Sequence, residues 1–417
     1  MPARAGIGRR PRMLFLAPTI PAAAGNGLAM RVGMFLEAYA RIAEIDCMVV
    51  RLAGGPADPT FCQRHARRLE IVDVAGKAET PFALLSAVAD PAARLAAFRQ
   101  YGRPSLCAYL SAQVRDDVRA RIGNARYDLV HVSRAYLAPL LELVASAASN
   151  ARIMVDLDED EPATRRSLAR LHRVRGDTFA AEWEEAEALA YARMSATADP
   201  GIDLITVSSG LEGAHASRHW RAASIAVVPN AVCVPAPHGA SNQPRIIFVG
   251  ALSYFPNRDA ALWTLDAIWP RVRSRCPEAV LSLVGRHPGP ALRRRARQRG
   301  VHLLERVRDV GATYRACAVA IAPIRAGGGT RIKLIEAGAH ALPCVSTTIG
   351  AEGLPADMRA GLALADRAEA FADACVERLR SPALRRAEGQ RLRKLVQRHH
   401  DRRAAMARLA QLGSDLC

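Results

Sequence analysis

The residues with the clearest chemical purpose lie in Ala322-Pro-Ile-Arg-Ala-Gly-Gly-Gly-Thr-Arg-Ile-Lys-Leu-Ile-Glu-Ala337. An apolar run ends at Pro323, three glycines follow, and a helix is predicted to open at Thr330. Glycines let a backbone approach an anion closely, and the free N–H groups of a first helical turn present about half a positive charge to it. Arg331 and Lys333 stand in or beside that turn, where a cation is unfavourable unless an anion offsets it. Such a local conflict is what a functional site leaves in a sequence. Only three of the 58 basic residues are lysines (Lys77, Lys333 and Lys394), which singles Lys333 out. Glu336 follows one helical turn later and could accept hydrogen bonds from sugar or ribose hydroxyls. The bland alternative is a tight loop followed by a solvated helix face.

Three further groups are candidates. Asp156-Leu-Asp158-Glu-Asp160 follows an apolar run and twice spells Asp-x-Asp, a pattern able to hold Mg²⁺ or Mn²⁺ through hard oxygens. Alternate residues share a face only while a strand lasts, so Asp158 is read at a cleft, with Asp160 and Glu161 starting a helix before Pro162 and no metal expected. His131 ends another predicted strand and is either a catalytic group or a satisfied, partly buried histidine. Gly25-Asn26-Gly27 opens the first helix and could face a ligand.

These residues need a scaffold. Short β-branched runs alternate with amphipathic stretches in both halves, which specifies parallel sheets covered on both faces. The first half offers strands at Arg12–Ala17, Cys47–Leu52, Asp128–Val132, Arg152–Leu157, Leu204–Ser208 and Ile225–Val228. Helices are expected at Leu28–Ile42, Tyr136–Ser146, a long one within Thr164–Ala196, and Leu211–Trp220. Residues 60–125 are helical in tendency and have no assigned place. The stretch 235–244, rich in Pro, Gly, Ser and Asn, reads as a linker. Strands then resume at Arg245–Val249, Ala279–Val284, Val301–Leu304, Val319–Pro323 and Pro343–Ser346, with helices at Asp259–Ser274, Pro290–Arg299 and Thr330–Ala339. The expectation is an α/β protein of two doubly wound, Rossmann-like domains, 1–235 and 236–380, facing a central cleft. A basic helical tract, 381–417, follows and packs back on the first domain.

Composition bounds the partners. The 417 residues carry 58 basic against 40 acidic side chains, a net charge of +18, so the surface attracts anions. Nine scattered cysteines without a Cys-x-x-Cys pair suit neither zinc nor a disulfide framework, which points to a reducing cytoplasm. The basic start and the apolar Met13–Ala24 mimic a signal peptide, but Pro18 and Pro21 interrupt it and a buried first strand is the reading adopted. Arg293, Arg294, Arg295, Arg297 and Arg299 cluster on one predicted helix, and ten basic residues lie between Arg380 and Arg408. Either these are solvated faces, or they attach the protein to anionic lipid at the inner face of the plasma membrane. No nucleic-acid-binding motif is present.

The second half resembles the group 1, GT4-like retaining glycosyltransferases of the GT-B fold. The residues that carry the likeness are Ile246-Ile-Phe-Val-Gly250, Pro256-Asn257, Leu283-Val-Gly285, Val307-Arg-Asp309, the glycine segment and Ser346-Thr-Thr-Ile-Gly-Ala-Glu-Gly353. It is good over about residues 204–355 and is closest in pattern to bacterial exopolysaccharide-associated sugar transferases. It implies a nucleotide-diphosphate sugar as co-substrate, with no other cofactor, and a glycan or lipid-linked acceptor on the first domain. Gly328, Gly329 and Thr330 would contact the diphosphate, and Lys333 or Arg331 its charge. Glu336 would meet the ribose, backbone near Val307 the base, and Gly250 and the Gly25–Gly27 loop would line the donor site. Asp158 and His131 would be catalytic candidates beside Lys333 and Arg331. Two positions depart from the family: Gly328 replaces the first of its paired glutamates, and no basic residue follows Gly250, so more of the charge falls to Lys333 and Arg331. A catalytically weak scaffold that binds nucleotide or membrane is the rival reading. A dinucleotide-dependent oxidoreductase fits poorly, because Met30 stands where its third glycine belongs.

Overall fold

The computed structural model describes residues 9–55, 57–147, 150–197, 201–237, 241 and 243–416. Two parallel sheets organise the chain. The first joins β1 (Arg12–Ala17), β2 (Glu44–Val50), β3 (Arg68–Val72), β4 (Leu129–Ser133), β5 (Arg152–Asp158), β6 (Leu204–Val207) and β7 (Ser224–Val227) in the order β3-β2-β1-β4-β5-β6-β7. The second joins β8 (Arg245–Val249), β9 (Val280–Val284), β10 (Val301–Leu304), β11 (Val319–Ala322), β12 (Cys344–Ser346) and β13 (Ala363–Leu364) as β10-β9-β8-β11-β12-β13.

The apolar runs form strands because each sheet is covered on both faces. In β1, Met13, Phe15 and Ala17 enter one apolar cluster while Leu14 and Leu16 enter another, the period-two division of a strand buried on both sides. In each sheet the order reverses at one seam, β1 beside β4 and β8 beside β11. Loops leave such a seam in opposite directions and open a crevice at the strands' carboxyl ends. Gly25–Gly27 follows β1, Arg134 follows β4, Gly250 follows β8, and the three glycines follow β11.

Residues 60–125 hold β3 and several short helices, including Pro91–Tyr101 and Ala112–Ile122. The single long helix expected within 164–196 is two, Glu161–Val174 and Thr178–Thr197, broken at Gly176, whose φ of 77° suits glycine. The stretch Tyr136–Ser146 begins as a 3₁₀ turn at Ala135–Leu140, which contains Pro139. Helix Phe255–Trp263 runs through a π turn, Thr264–Ile268, into Trp269–Arg275. Pro270 lacks the N–H that would continue the ladder, and Trp269 N–H reaches back to Thr264. The helix after the glycines starts at Ile332, two residues later than expected.

The basic C-terminal tract divides between the lobes. Leu392 and Val396 of helix Pro382–His399 belong to the second-lobe core. A Cβ at Gly338 would come within 2.8 Å of both side chains, so the glycine lets this helix brace Ile332–Ala339. Met406 and Leu409 of helix Arg402–Ser414 instead enter the first-lobe core beside helix Gly27–Tyr39. Arginines in and just before the tract are struts rather than a free cationic face. Arg378 pairs with Glu388 at 2.6 Å, Arg385 donates to the carbonyls of Arg378 and Leu379, and Arg402 donates to Glu37 at 2.8 Å. Among the described residues no helix is long and apolar enough to cross a membrane, and the eight described cysteines are all free.

The first lobe is held at its centre by a buried ion pair. Arg31 donates through Nε and Nη2 to the two oxygens of Asp156, at 2.8 and 2.7 Å, and through Nη1 to Val228 O and Asn230 Oδ1. Both side chains are almost fully buried. Removing one partner leaves the other charge buried and alone, so Arg31→Ala is expected to cost about 3–5 kcal/mol. Denaturant melts of the variant and parent will check this; equal midpoints would show the pair to be dispensable.

Candidate functional site

Backbone conformation explains the three glycines. Gly327 and Gly329 have φ of 120° and 69°, values that side chains other than hydrogen strain to adopt. At Gly328 a Cβ would lie 1.9 Å from Thr164 Oγ1 and 2.9 Å from Glu159 Oε2, so a side chain there would drive the two lobes apart. The loop is pressed against the first lobe. Gly327 N–H donates to Ser167 Oγ at 3.1 Å, and Gly329 N–H donates to Glu212 Oε1 at 2.9 Å. Buried Thr330 places Oγ1 3.5 Å from Ser208 O. Amides suited to an anion are therefore met by a carboxylate and a hydroxyl from the opposite lobe.

Glu212 was not legible in the sequence as a site residue. It lies in helix Gly210–Ala216, and its second oxygen accepts from Asp160 N–H at 2.7 Å. Burial pushes its carboxyl up to about 7; the Asp160 and Gly329 N–H groups pull the other way, and the charges of Glu159 and Asp158 add to the rise.

Arg331 precedes the helix and turns back on its own loop. Its Nη1 donates to the carbonyls of Gly328 and Gly329, which fixes the glycines, while buried Nε and Nη2 have no protein partner. Lys333 sits within the first helical turn. Its Nζ donates to Asn257 Oδ1 at 2.6 Å and stands 4.7 Å from the centre of the Phe248 ring. No carboxylate of the described residues lies within ion-pair distance of it. Desolvation, then the Arg331 charge, lowers Lys333 to about 7, against the pull of Glu336. Glu336 is raised to about 7 by burial, opposed by the hydrogen bond from Tyr314 Oη at 3.3 Å and by Lys333. Gly250 completes this wall: a Cβ there would sit 2.8 Å from Asn257 Cγ, displacing the amide that meets Lys333. Val307 packs against the second-lobe core in the turn after β10.

From the first lobe, Asn26 caps helix Gly27–Tyr39 through Ala29 N–H at 2.8 Å and donates to Gly54 O. A Cβ at Gly27 would be 3.6 Å from Ile332 Cγ2, and nothing lies within 4 Å of one at Gly25. The Gly25–Gly27 loop therefore approaches the start of the helix carrying Lys333.

Asp158 ends β5 with φ of 63° and shifts its register with β6. Its oxygens accept from Arg134 Nη1 at 3.2 Å and Asn230 Nδ2 at 3.1 Å. Arg134 also donates to Glu159 at 2.6 Å and Glu161 at 2.8 Å. The two aspartates thus face arginines, Asp156 toward Arg31 and Asp158 toward Arg134. Among the described residues no group of three or more His, Cys, Asp or Glu side chains is placed to hold a metal ion.

The catalytic reading of His131 is corrected by its surroundings. The side chain lies in the first-lobe core, stacked on Phe15 with ring centres 4.6 Å apart, and Nε2 meets Ser133 Oγ at 3.0 Å. Desolvation and the nearby Arg31 charge lower it to about 3, so it stays neutral and enclosed.

Residues 243–381 match the family model described as "Glycosyl transferases group 1". No curated protein sequence matches the chain. Solved structures do. The Anabaena protein HepE, in complex with UDP and glucose, superposes with a TM-score of 0.64 at 13% identity, covering 97% of this chain and 99% of that one. A glycosyltransferase from Rickettsia africae gives 0.60 at 13%, covering 98% and 99%. A UDP-forming trehalose-phosphate synthase from Burkholderia vietnamiensis gives 0.61 at 12%, covering 97% and 99%. The chain has the GT-B fold, and residues 243–381 of its second lobe are similar to the group 1 glycosyltransferases.

The shifted groups predict opposite contributions to stability. Between about pH 4.5 and 7 the folded protein keeps the Glu212 proton that the unfolded chain has released, so this term falls as pH rises. Lys333 acts the other way above about 7, where the unfolded chain holds a proton that folded Lys333 has lost. Melts from about pH 5 to 9, taken as variant minus parent, should show Glu212→Gln flattening the acid limb and Lys333→Met the alkaline limb. Difference curves flat in pH would contradict both assignments.

Proposed function

We propose that the protein is a retaining glycosyltransferase that moves a sugar from a nucleotide-diphosphate sugar to a hydroxyl of a glycan or lipid-linked acceptor in polysaccharide assembly. One observation carries the reading: the Gly327 and Gly329 amides point from the second lobe to the first, and the unpartnered edge of Arg331 and the acid-free ammonium of Lys333 follow within four residues of them. Each is a donor arranged for an anion. A diphosphate would replace Glu212 and Ser167 on the amides and bring Lys333 the negative charge it lacks.

Chemistry follows from that placement. The bond between the anomeric carbon and the leaving phosphate oxygen breaks as the acceptor oxygen bonds to that carbon. The acceptor proton passes to the leaving phosphate, so no protein base is required. Negative charge grows on the diphosphate during this step, and fixed N–H dipoles with Lys333 and Arg331 stabilise it without reorganising. Glu336, one turn from Lys333, would accept from the ribose hydroxyls. Asp158 is a first-lobe wall residue, oriented by Arg134 and Asn230, on the acceptor side. HepE was crystallised with UDP and glucose, which supports UDP-glucose as the first donor to try.

Lys333→Ala is expected to lower UDP-glucose turnover by about 10²-fold or more, the scale of removing one charge-stabilising donor, with its fold intact by circular dichroism. UDP-sugar binding by the parent without transfer or hydrolysis would favour the scaffold reading; unchanged turnover in the variant would remove Lys333 from the mechanism.

A diphosphate raises the Lys333 pKa from its unliganded value near 7, so binding above neutrality takes up a proton. UDP affinity should therefore fall as pH rises from about 7 to 9, and calorimetry in buffers of different ionisation heat should register the uptake. Affinity rising with pH is the opposing result.

A further inference from the structure

A second concentration of cationic groups lies away from the glycine loop. A cavity of about 330 Å³ opens where the end of helix Glu161–Val174 meets the second lobe, and its wall includes Arg175, Arg294, Arg325, Trp263 and Asp266. Arg175 comes from the first lobe and the others from the second. The volume is at the lower end for small-molecule sites, which suits a compact polar ligand.

The charges are unequally matched. Arg325 donates through Nε and Nη2 to both oxygens of buried Asp259, at 2.9 and 2.7 Å, and Arg175 donates to the same carboxylate. Two guanidinium groups thus share one carboxylate. Arg295, also on this wall, takes Asp266 at 2.6 Å. Arg294, between two acid-paired arginines, has no acid within ion-pair distance among the described residues. Arg325 Nη1, Arg175 Nη2 and the whole Arg294 fork remain available as donors. Beside them Arg325 lies 5.2 Å from the centre of the Trp263 ring, which with Leu262 and Ala291 gives the cavity an apolar side. The π turn Thr264–Ile268 places Asp266 at the rim, and irregular turns of this kind recur at binding sites.

We propose that this cavity is a second anion subsite, taking the phosphate of a phosphorylated sugar through Arg294, Arg325 and Arg175 with the sugar against Trp263. Crowded guanidinium groups repel one another until an anion joins them, and arginine forks match phosphate oxygens in geometry as well as charge. Because Arg175 and Arg325 belong to different lobes, the ligand ties them together. Arg325 also stands two residues before Gly327, so occupancy steadies the segment leading into the glycine loop. The subsite stands on the cavity itself, whichever donor the loop takes. The phosphate can come from a soluble sugar phosphate or from a lipid-linked sugar diphosphate.

The test uses the full chain, with Arg294→Glu as the variant because that side chain is exposed and unpaired. Binding of glucose 6-phosphate is measured by calorimetry at about 0.15 M salt. Flotation measures binding to phosphatidylcholine vesicles with and without a polyprenyl diphosphate sugar. Arg294→Glu should weaken glucose 6-phosphate about tenfold or more, while Arg294→Lys keeps part of the affinity and UDP binding stays at the parent value in both. Arg294-dependent binding confined to the vesicles carrying the diphosphate assigns the lipid-linked source. The proposal is overturned if neither probe responds to Arg294, or if Lys333→Ala abolishes glucose 6-phosphate binding that Arg294→Glu leaves intact.

Discussion

The hydrogen bond from Gly329 N–H to Glu212 joins two sheets that share no strand, and the site takes its shape from that contact. A backbone amide turned toward a crevice needs an acceptor, because an unsatisfied buried N–H costs about 1–3 kcal/mol. Glu212 and Ser167 provide it. Gly328 must lack a side chain for the lobes to come this close, and Arg331 must grip the glycine carbonyls for the amides to face outward. Lys333 and Arg331 are the members of the cluster whose charges no acid pairs with among the described residues.

That arrangement also defines a competition. On the proposed function, a diphosphate arriving at the loop would meet a carboxylate already in place, and Glu212 would yield either by moving or by taking up a proton. Its elevated affinity for a proton makes the second route accessible near neutrality. Lys333 would gain a proton in the same exchange. Both changes would oppose alkaline conditions, so the proposed ligand capture would be linked to protonation through two side chains on opposite lobes.

Local features of the site were open to sequence reading; cross-lobe features were not. The glycines, Arg331, Lys333 and Glu336 lie within ten residues, and their conflict with the polarity of a helix start is visible in the chain. Glu212 is 117 residues from Gly329, in an ordinary-looking helix start, and only the packing of two sheets brings them together. Asn257 could be read as part of a family pattern, but its contact with Lys333 depends on the missing side chain of Gly250. His131 shows the reverse error. A histidine at a strand end looks the same in sequence whether it faces the crevice or the core, and three aromatic rings decided the matter. Buried strands such as β1 were readable because both faces are apolar. β3 was not, because its Arg68 and Glu70 pair with each other on a sheet edge. The helix after Pro162 looked unbroken because the turn at Gly176 is short.

Helix Arg402–Ser414 has a consequence for biogenesis. It covers Tyr39 and Ile42, with a Cβ at Gly413 falling 2.5 Å from Ile42 Cδ1, so this segment closes an apolar surface laid down more than three hundred and fifty residues earlier in the chain. The first lobe is therefore completed only after the second has been made. Until residues 402–414 leave the ribosome, its hydrophobic flank stays uncovered, a natural station for a chaperone.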